Sequence, residues 1–83
     1  MAEITYDKAF AEVQSTLREL LNNPSQSIEP TTSLDELGVD ELALTEVAVK
    51  LGDTFGVDIA VSPESIRTVE DLARAVVNAP ANA

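Results

Sequence analysis

The sequence contains no cysteine, no histidine and no tryptophan, and its only aromatic residues are one tyrosine and two phenylalanines. Without cysteine there can be no disulfide framework, no thiolate nucleophile and no thiolate metal site. Without histidine the chain also lacks the commonest general base and the commonest metal ligand. We therefore expect that this chain is not an enzyme.

Basic residues are also scarce, since 5 of them face 15 acidic residues and give a formal net charge of −10. Such a surface repels the phosphates of nucleic acids and of anionic lipids, so we expect neither nucleic acid nor membrane as a partner. It can steer the protein toward basic patches on other proteins. It can equally serve only to keep a small protein soluble, and composition alone leaves both interpretations open.

Long apolar runs are absent as well, and the N-terminus lacks a basic–apolar signal pattern. A cytoplasmic location is therefore the expectation. The 83 residues suffice for one domain, 1–83, whose folded core is expected over about 6–77. We expect this domain to be a monomer.

The most informative stretch is a loop that turns into an amphipathic helix, Leu37-Gly38-Val39-Asp40-Glu41-Leu42. Asp40 is suited to be the N-cap, because its carboxylate can accept hydrogen bonds from free N–H groups of the first turn. Gly38 permits a turn that a residue with a Cβ would resist. The apolar pattern predicts a helix from Leu42 to Phe55, with Gly56 as a left-handed stop.

Two further helices are predicted from the same kind of pattern. The first runs from about Tyr6 to Asn22 behind a Thr5 N-cap, and the last opens at Thr68. The three predicted helices each carry one apolar stripe toward a common core: Tyr6, Phe10, Val13, Leu17, Leu20 and Leu21; Leu44, Val47, Ala48, Leu51 and Phe55; and Val69, Leu72, Ala73, Val76 and Val77.

The connections are expected to be ordered in part. The long loop 23–39 should be pinned to the core by its apolar residues, with a single helical turn near 33–37; those residues are Ile28, Leu34, Leu37 and Val39. Ser62 and Pro63 are suited to cap and begin a very short helix. From Pro80 onward the chain is expected to be a frayed tail.

In these features the chain resembles the acyl carrier protein family, which includes peptidyl and polyketide carriers. In that family a loop ending in Leu-Gly-x-Asp-Ser-Leu leads into the second helix, and the Ser receives 4′-phosphopantetheine. Phe55-Gly56-Val57-Asp58-Ile59 and Ile66-Arg67-Thr68-Val69-Glu70-Asp71-Leu72 resemble later segments of the family. The resemblance covers roughly residues 6–77. It implies an all-α, four-helix carrier bundle with three main helices, one short helix and a long first loop.

At the attachment position this chain has Glu41, between Asp40 and Leu42. Attachment needs a hydroxyl to attack the pyrophosphate of coenzyme A, and a carboxylate would yield only a labile acyl phosphate. Asp40, Glu41 and Leu42 thus form the expected cofactor-binding position, yet we expect no phosphopantetheine there. Thr45 and Ser33 carry nearby hydroxyls, but neither has the surroundings of the family's serine.

Glu41 itself has two interpretations. An acid in the first turn of a helix is favourable for the helix dipole and needs no function. Alternatively, Glu41 replaces the charge of a phosphorylated serine and leaves the protein in a permanently modified-like electrostatic state. Asp35, Glu36, Asp40 and Glu41 also lie close in sequence and are interpreted either as solvated acids or as a weak divalent-cation site, and no metal is expected.

A partner-binding face is predicted on the second helix, where two aliphatic residues alternate with two acids: Leu42, Glu46, Val49 and Asp53. The resemblance implies that enzymes or other proteins that recognise carrier domains bind there through basic and apolar patches. Ala43, Lys50 and Gly52 stand where fatty-acid carriers often have further carboxylates. The expected partner therefore belongs to a specialised pathway.

Three functional hypotheses remain from the sequence. The first is a carrier-like domain of a fatty-acid, polyketide or nonribosomal-peptide pathway that has lost the attachment serine and acts by docking. The second is a true acyl or peptidyl carrier in which that serine has been substituted. The third, from another class, is a small acidic regulator that shares only the bundle.

Overall fold

Three α-helices make up the secondary structure of the computed structural model, which describes residues 4–62 and 64–81. They are α1 (Tyr6–Leu21), α2 (Glu41–Phe55) and α3 (Val69–Asn78). The predicted all-α fold with three main helices is thereby confirmed. None of these helices is both long enough and apolar enough to cross a membrane, within the ranges described.

The helix ends follow the predicted capping residues. The Thr5 side chain accepts a hydrogen bond from the Lys8 N–H at the start of α1. Asn22, predicted as the last helical residue, is instead the left-handed cap of α1, with φ of 53°. Gly56 closes α2 in the same conformation, with φ of 67°. The Thr5 hydroxyl and the backbone N–H groups of Asn22 and Gly56 satisfy groups that the helices leave free, so these boundaries are set locally.

The α3 N-terminus is closed by a reciprocal capping box. The Thr68 hydroxyl oxygen accepts from the Asp71 N–H at 3.2 Å, and the Asp71 carboxylate accepts from the Thr68 N–H at 3.2 Å. The same carboxylate accepts from the Arg67 N–H at 3.1 Å. Asp71 therefore fixes both the start of α3 and the extended residues before it.

The core is formed by the buried faces of the three helices together with four loop residues. The fully or nearly fully buried apolar side chains of the main core are Ala9, Val13, Leu17, Ile28, Leu34, Val39, Leu44, Val47, Leu51, Ile66, Val69, Leu72, Ala73 and Val76. Ala48 is buried as predicted, whereas Tyr6, Phe10, Phe55 and Val77 pack only partly buried against this core. The predicted stripes are thus confirmed for most of their residues.

Leu21 is only half-buried and is not among the core residues, and the prediction of Leu20 as a core residue is wrong. Leu20 lies on the core-facing side of α1 but is 37% exposed. A crevice of about 160 Å³ opens here between α1 and α2, and Leu20 lines it beside Thr16 and Val47. The neighbouring helix does not close over the end of α1, so periodicity alone overestimates the burial of this residue.

The long first loop is held both by its own apolar residues and by polar groups of α1. Ile28, Leu34 and Val39 are buried, and Leu37 packs partly buried beside them. The Gln14 side-chain amide donates to the Ile28 carbonyl at 2.8 Å, and the Arg18 guanidinium donates to the Gln26 carbonyl at 2.9 Å. The predicted pinning of the loop is confirmed.

The predicted turn near 33–37 is present as hydrogen-bonded turns and not as a helix. The N–H groups of Leu37 and Val39 both donate to the Leu34 carbonyl, and the Gly38 N–H donates to the Asp35 carbonyl. Gly38 has φ of +77°, which is the left-handed conformation anticipated for the glycine before α2.

A single turn stands where the short fourth helix was predicted. The N–H groups of Ser65 and Ile66 both donate to the Ser62 carbonyl, at 3.0 and 2.9 Å. Pro63, predicted as the first residue of that helix, lies outside the described residues. The turn is not extended into a helix, because buried Ile66 is followed at once by Arg67 and Thr68, which pair with the first loop.

The segment after α3 corrects the prediction of a frayed tail from Pro80. The Asp58 N–H donates to the Pro80 carbonyl at 2.9 Å, and Ala81 forms an antiparallel bridge with Val57. Gly52 allows this arrangement, since a Cβ at that position would lie 2.8 Å from the Val57 carbonyl oxygen. The chain is therefore ordered through Ala81, and residues 82 and 83 lie outside the described part.

Candidate functional site

The loop–helix junction places the three residues of the predicted attachment position at the surface. The carboxylate of Asp40 accepts a hydrogen bond from the Ala43 N–H at 2.8 Å, which makes Asp40 the N-cap of α2 as predicted. Glu41 follows as the first helical residue and is exposed, and Leu42 is 69% exposed. Val39, directly before Asp40, is buried in the core and holds the junction against it. A group on residue 41 is thus presented to solvent by a rigid helix end.

Glu41 also borders a cleft of about 420 Å³. Its apolar wall is formed by the buried side chains of Leu34, Val39, Leu44 and Ile66. Polar residues complete the lining: Ser33, Asp35, Asp40, Glu41 and Arg67. The cleft therefore combines an apolar interior with a rim on which carboxylates outnumber the single guanidinium.

Arg67 was not among the residues predicted for this site. It enters the cleft because residues 67 and 68 pair with the first loop, through the Leu34 N–H donating to the Arg67 carbonyl and the Ser33–Thr68 bridge. Contacts between positions more than 30 residues apart have no local pattern in the sequence. The only signal was the Thr-Val-Glu-Asp capping sequence directly after Arg67, which fixes where the helix starts but not what the preceding residue faces.

Two other hydroxyls, those of Thr45 and Ser33, were considered as attachment sites, and both are placed differently from Glu41. The Thr45 hydroxyl donates to the Glu41 carbonyl at 3.0 Å, which satisfies it within the helix. Ser33 lines the cleft from the first loop and lies in the bridge to Thr68. Neither residue follows an N-cap at a helix start as Glu41 does.

The predicted partner-binding residues lie together on the outer face of α2. Spacings of four, three and four residues place them within one narrow arc of the helix, and all four are exposed: Leu42, Glu46, Val49 and Asp53. Val49 is 62% exposed, which with Leu42 leaves two large aliphatic side chains in water. We refer to these four residues as the α2 face.

The charge of the α2 face is not neutralised by the only basic residue of the helix. Lys50 points toward α1, where its ammonium group contacts the Glu19 carboxylate at 2.6 Å. Both side chains are mostly exposed, so this ion pair contributes little to stability. Because Lys50 pairs with Glu19, the negative charges of Glu46 and Asp53 beside the two aliphatic residues are not neutralised within α2.

No group of three or more acids is arranged to hold a metal ion, in residues 4–62 and 64–81. Among the four acids considered as a weak cation site, Asp40 uses its carboxylate to cap α2. The others are exposed: Asp35, Glu36 and Glu41.

Asp71 supports the part of the cleft rim that carries Arg67, because its carboxylate accepts a hydrogen bond from the Arg67 N–H. The hydrogen bond from the Arg67 N–H holds the pKa of the Asp71 carboxyl below its ordinary value, assisted by the bonds from Thr68 and by the Arg74 charge and opposed by partial burial. A carboxyl with a lowered pKa in the folded state stabilises the fold above the unfolded-state pKa of about 3.9, and that contribution is lost as the pH falls through the folded-state pKa.

We therefore predict a pH-dependent stability difference between the wild-type chain and Asp71→Asn. The wild type should be more stable at pH 7, by roughly 0.5–2 kcal/mol as for other helix caps, and the difference should shrink as the pH falls below the unfolded-state pKa of about 3.9 and through the lower folded-state pKa. Urea denaturation of both chains across this pH range measures it. Glu70→Gln is the matched control, because its carboxylate pairs with the Arg74 guanidinium and not with the capping box. A difference that is constant with pH would contradict the assigned role of Asp71.

The three-helix bundle, the long pinned loop and the exposed position at the start of α2 together define a carrier-type domain. Comparison with protein-family models agrees: residues 11–76 match the family described as "Phosphopantetheine attachment site". The chain belongs to this family of acyl and peptidyl carrier domains. Such domains are not catalytic themselves.

Two curated proteins are similar to this chain. It is 42% identical over 53 residues to the non-reducing polyketide synthase adrD of Penicillium rubens, which covers 64% of this chain and 2% of that protein. It is 38% identical over 47 residues to the triacetic acid lactone synthase cle1 of Aspergillus versicolor, covering 57% of this chain and 3% of that protein. The chain thus spans only a few per cent of the length of these relatives. No solved structure gives a significant match.

Proposed function

We propose that this chain is a carrier-type domain of polyketide-synthase type that has lost the attachment serine at Glu41 and acts by docking to other proteins through the α2 face. The observation that carries this proposal is the exposure of Leu42 and Val49 between Glu46 and Asp53, directly after the helix start at Glu41. The relatives' names support the polyketide-type assignment.

Loss of carriage follows from the chemistry available at the start of α2. A pantetheine arm is attached through a phosphodiester to a hydroxyl, and Glu41 has none. A phosphate joined to its carboxylate would be an acyl phosphate, which hydrolyses too readily to serve as a tether. The Thr45 hydroxyl is bonded to the helix backbone. The residues present therefore do not fit covalent attachment of phosphopantetheine.

Docking follows from the physical properties of the α2 face. Burying a fully exposed Leu or Val side chain is worth about 1.5–3 kcal/mol, so Leu42 and Val49 can supply a useful part of a binding energy. Glu46 and Asp53 favour a partner whose apolar patch is bordered by Lys or Arg, and the net charge of −10 accelerates association with it. Binding should consequently weaken as salt is added.

The expected partners are enzymes that recognise carrier domains within a polyketide-type assembly. The family membership supports enzymes of this kind, and the divergent positions on α2 favour a specialised set over a general fatty-acid synthase. The divergent positions are Ala43, Lys50 and Gly52. Ala43 is partly buried, and Gly52 is needed for the close approach of Val57. Only Lys50 therefore alters the surface charge relative to fatty-acid carriers.

The test of this proposal is a substitution on the α2 face. Val49→Arg should reduce binding to a carrier-recognising enzyme, such as a polyketide-synthase ketosynthase domain, at least tenfold, because it places a charge in an apolar contact and opposes a basic rim. Ala11→Arg is the matched control, since Ala11 is exposed on α1 away from the face. Titration calorimetry or surface plasmon resonance measures both. Equal affinities for the two variants would refute docking through α2.

A second function rests on the same residues. If the serine has been exchanged for Glu41 in an otherwise active carrier, the whole recognition surface should still be intact, and restoring the hydroxyl should restore attachment. The family match over residues 11–76 argues against a regulator that shares only the bundle.

A further inference from the structure

The segment directly after α2 has the properties of a β-strand with one face on the core. Residues 58–62 continue from the end of α2 without a turn or a bend. Burial alternates along the segment: Val57 is buried, Ile59 and Val61 are half-buried, and Asp58 and Ala60 between them are exposed. A period of two with β-branched residues on the inner side is typical of a strand. We call residues 57–61 the exit segment.

The beginning of the exit segment pairs with the residues that follow α3. Val57 forms an antiparallel bridge with Ala81, and the Asp58 N–H donates to the Pro80 carbonyl at 2.9 Å. Pro80 cannot return a hydrogen bond, because it has no N–H group. The pairing therefore amounts to a short two-stranded contact, and it fixes the register of the exit segment.

The remaining residues of the exit segment have no such pairing. The same register would continue into α3, which ends at Asn78 and whose backbone groups serve the helix itself. Within residues 4–62 and 64–81, no backbone hydrogen bond is made by Ile59, Ala60 or Val61. Unpaired N–H and C=O groups along an extended segment are a template to which another strand can add.

Two of these residues present their backbone groups on the side of α2. The Val57 N–H donates to the Gly52 carbonyl of α2 at 3.0 Å, whereas the next N–H, that of Asp58, is directed to the residues after α3. In an extended chain the N–H groups of alternate residues point to the same edge. The N–H groups of Ile59 and Val61 therefore lie on the edge that Val57 shares with α2.

A groove of about 210 Å³ lies between the exit segment and the α2 face. It is lined by Ile59 and Val61 from the one and by Val49 and Asp53 from the other. Val49 is 62% exposed, so the groove offers apolar surface that the core does not use. Asp53 and Asp58 border it as exposed acids, and none of the described residues that line it is basic. The groove thus combines aliphatic surface, negative charge and free backbone groups.

We propose that the exit segment binds an extended segment of a partner protein, in which aliphatic residues alternate with Lys or Arg and which adds as a strand along residues 59–61. The aliphatic side chains contact Val49 and the half-buried residues of the groove, and the basic ones neutralise Asp53 and Asp58. A second copy of this chain is disfavoured as the occupant, because it would bring the acids of two such grooves together. The inference does not depend on docking through the α2 face, although Val49 and Asp53 belong to both surfaces.

Hydrogen exchange with a model peptide tests the proposed strand addition. The probe is the capped peptide acetyl-Arg-Val-Arg-Val-Arg-Val-Arg-amide, titrated into the isotope-labelled chain. At saturation, exchange of the Ile59 and Val61 amides should slow about tenfold or more, while that of Ala60 changes less than twofold. A block peptide of the same composition, with its arginines together and its valines together, is the control for attraction to the net charge. Equal protection by both peptides, or binding without protection of Ile59 and Val61, would overturn the proposal.

Two proline variants test which edge is used. Val61→Pro removes an N–H from the α2 side and should weaken peptide binding about tenfold or more, because a donor is lost and the ring occupies its place. Ala60→Pro makes the same change on the opposite edge and should alter the affinity less than twofold. Val61→Ala keeps the N–H and measures the part due to the side chain, and circular dichroism verifies that each variant is folded. Equal weakening by the two prolines, or by neither, would refute addition along this edge.

The alternative occupant is tested with the free chain. Protection of the Ile59 and Val61 amides that increases with protein concentration alone would identify a second copy as the occupant and contradict the proposal. Protection that is independent of protein concentration and appears only with the alternating peptide is the expected result. Because the peptide titration contains no carrier-recognising enzyme, its failure is distinguishable from a failure of docking through the α2 face.

Discussion

Incubation with coenzyme A and a 4′-phosphopantetheinyl transferase is expected to convert Glu41→Ser into a species that carries one phosphopantetheine group per chain, whereas the wild-type chain gains none. The substitution places a hydroxyl on the first residue of α2, exposed and directly after the Asp40 cap. It removes one acid from the helix start, a change worth only about 0.5 kcal/mol for the dipole interaction. Intact-protein mass spectrometry measures the gain.

Glu46→Ser is the matched control for this experiment. It makes the same substitution on the same exposed side of α2, but in the interior of the helix and not at its start. Its mass should remain that of the unmodified chain, because the transferase requires a positioned hydroxyl and not merely an exposed one. Failure of folded Glu41→Ser to gain the group would contradict the assignment of position 41 or the preservation of the recognition surface. Modification of the wild type would point to another hydroxyl, such as that of Ser33 or Thr45.

Leu72→Ala and Leu42→Ala are expected to differ in stability by several kcal/mol although the chemical change is the same. Leu72 is completely buried among the core residues of α3, and truncation of such a leucine costs about 2–5 kcal/mol through lost burial and the cavity left behind. A domain of this size has a free energy of unfolding of about 5 kcal/mol. Leu72→Ala should therefore be largely unfolded or close to it.

Leu42→Ala should change the free energy of unfolding by no more than about 0.5 kcal/mol, because the side chain is already 69% in water. Urea denaturation followed by circular dichroism measures both variants. The comparison tests the separation of roles between the two helices, with Leu72 in the core and Leu42 free for a partner. A large loss of stability in Leu42→Ala would show that this residue supports the fold and would weaken its assignment to the α2 face.

The local features of the fold could be predicted from the sequence because they depend on neighbouring residues. Thr5, Asp40, Gly56 and Thr68 were all placed at the helix ends where the structure has them. Each acts on groups within four residues of itself, so its role can be inferred without knowledge of the tertiary structure. The same applies to the α2 face, whose exposure follows from helical periodicity.

The features that were missed depend on contacts between distant segments. Leu20 has the spacing of a core residue, but whether α2 covers it is decided by how the two helices cross. Pro80 and Ala81 are ordered by pairing with Val57 and Asp58, more than 20 residues earlier. Arg67 reaches the cleft for the same reason, because residues 67 and 68 pair with the first loop. No single stretch of sequence contains this information, so the cleft could not have been anticipated.

The position of Glu41 is compatible with both interpretations of this residue. Its position as the first residue of α2 is where an acid is favourable for the helix dipole, which accounts for the residue without a special function. Its exposure beside the cleft and next to the α2 face is also what a substitute for a phosphorylated serine would need. The two interpretations differ in whether Glu41→Gln weakens partner binding.

The most direct test of the proposed loss of carriage is the intact mass of the chain purified from the cells that produce it. The account predicts the mass of the unmodified polypeptide, recovered together with a carrier-recognising enzyme that is released by salt. A mass increased by phosphopantetheine, or by an acyl thioester on it, would contradict the account, because the protein would then be an active carrier whose attachment residue is not at position 41.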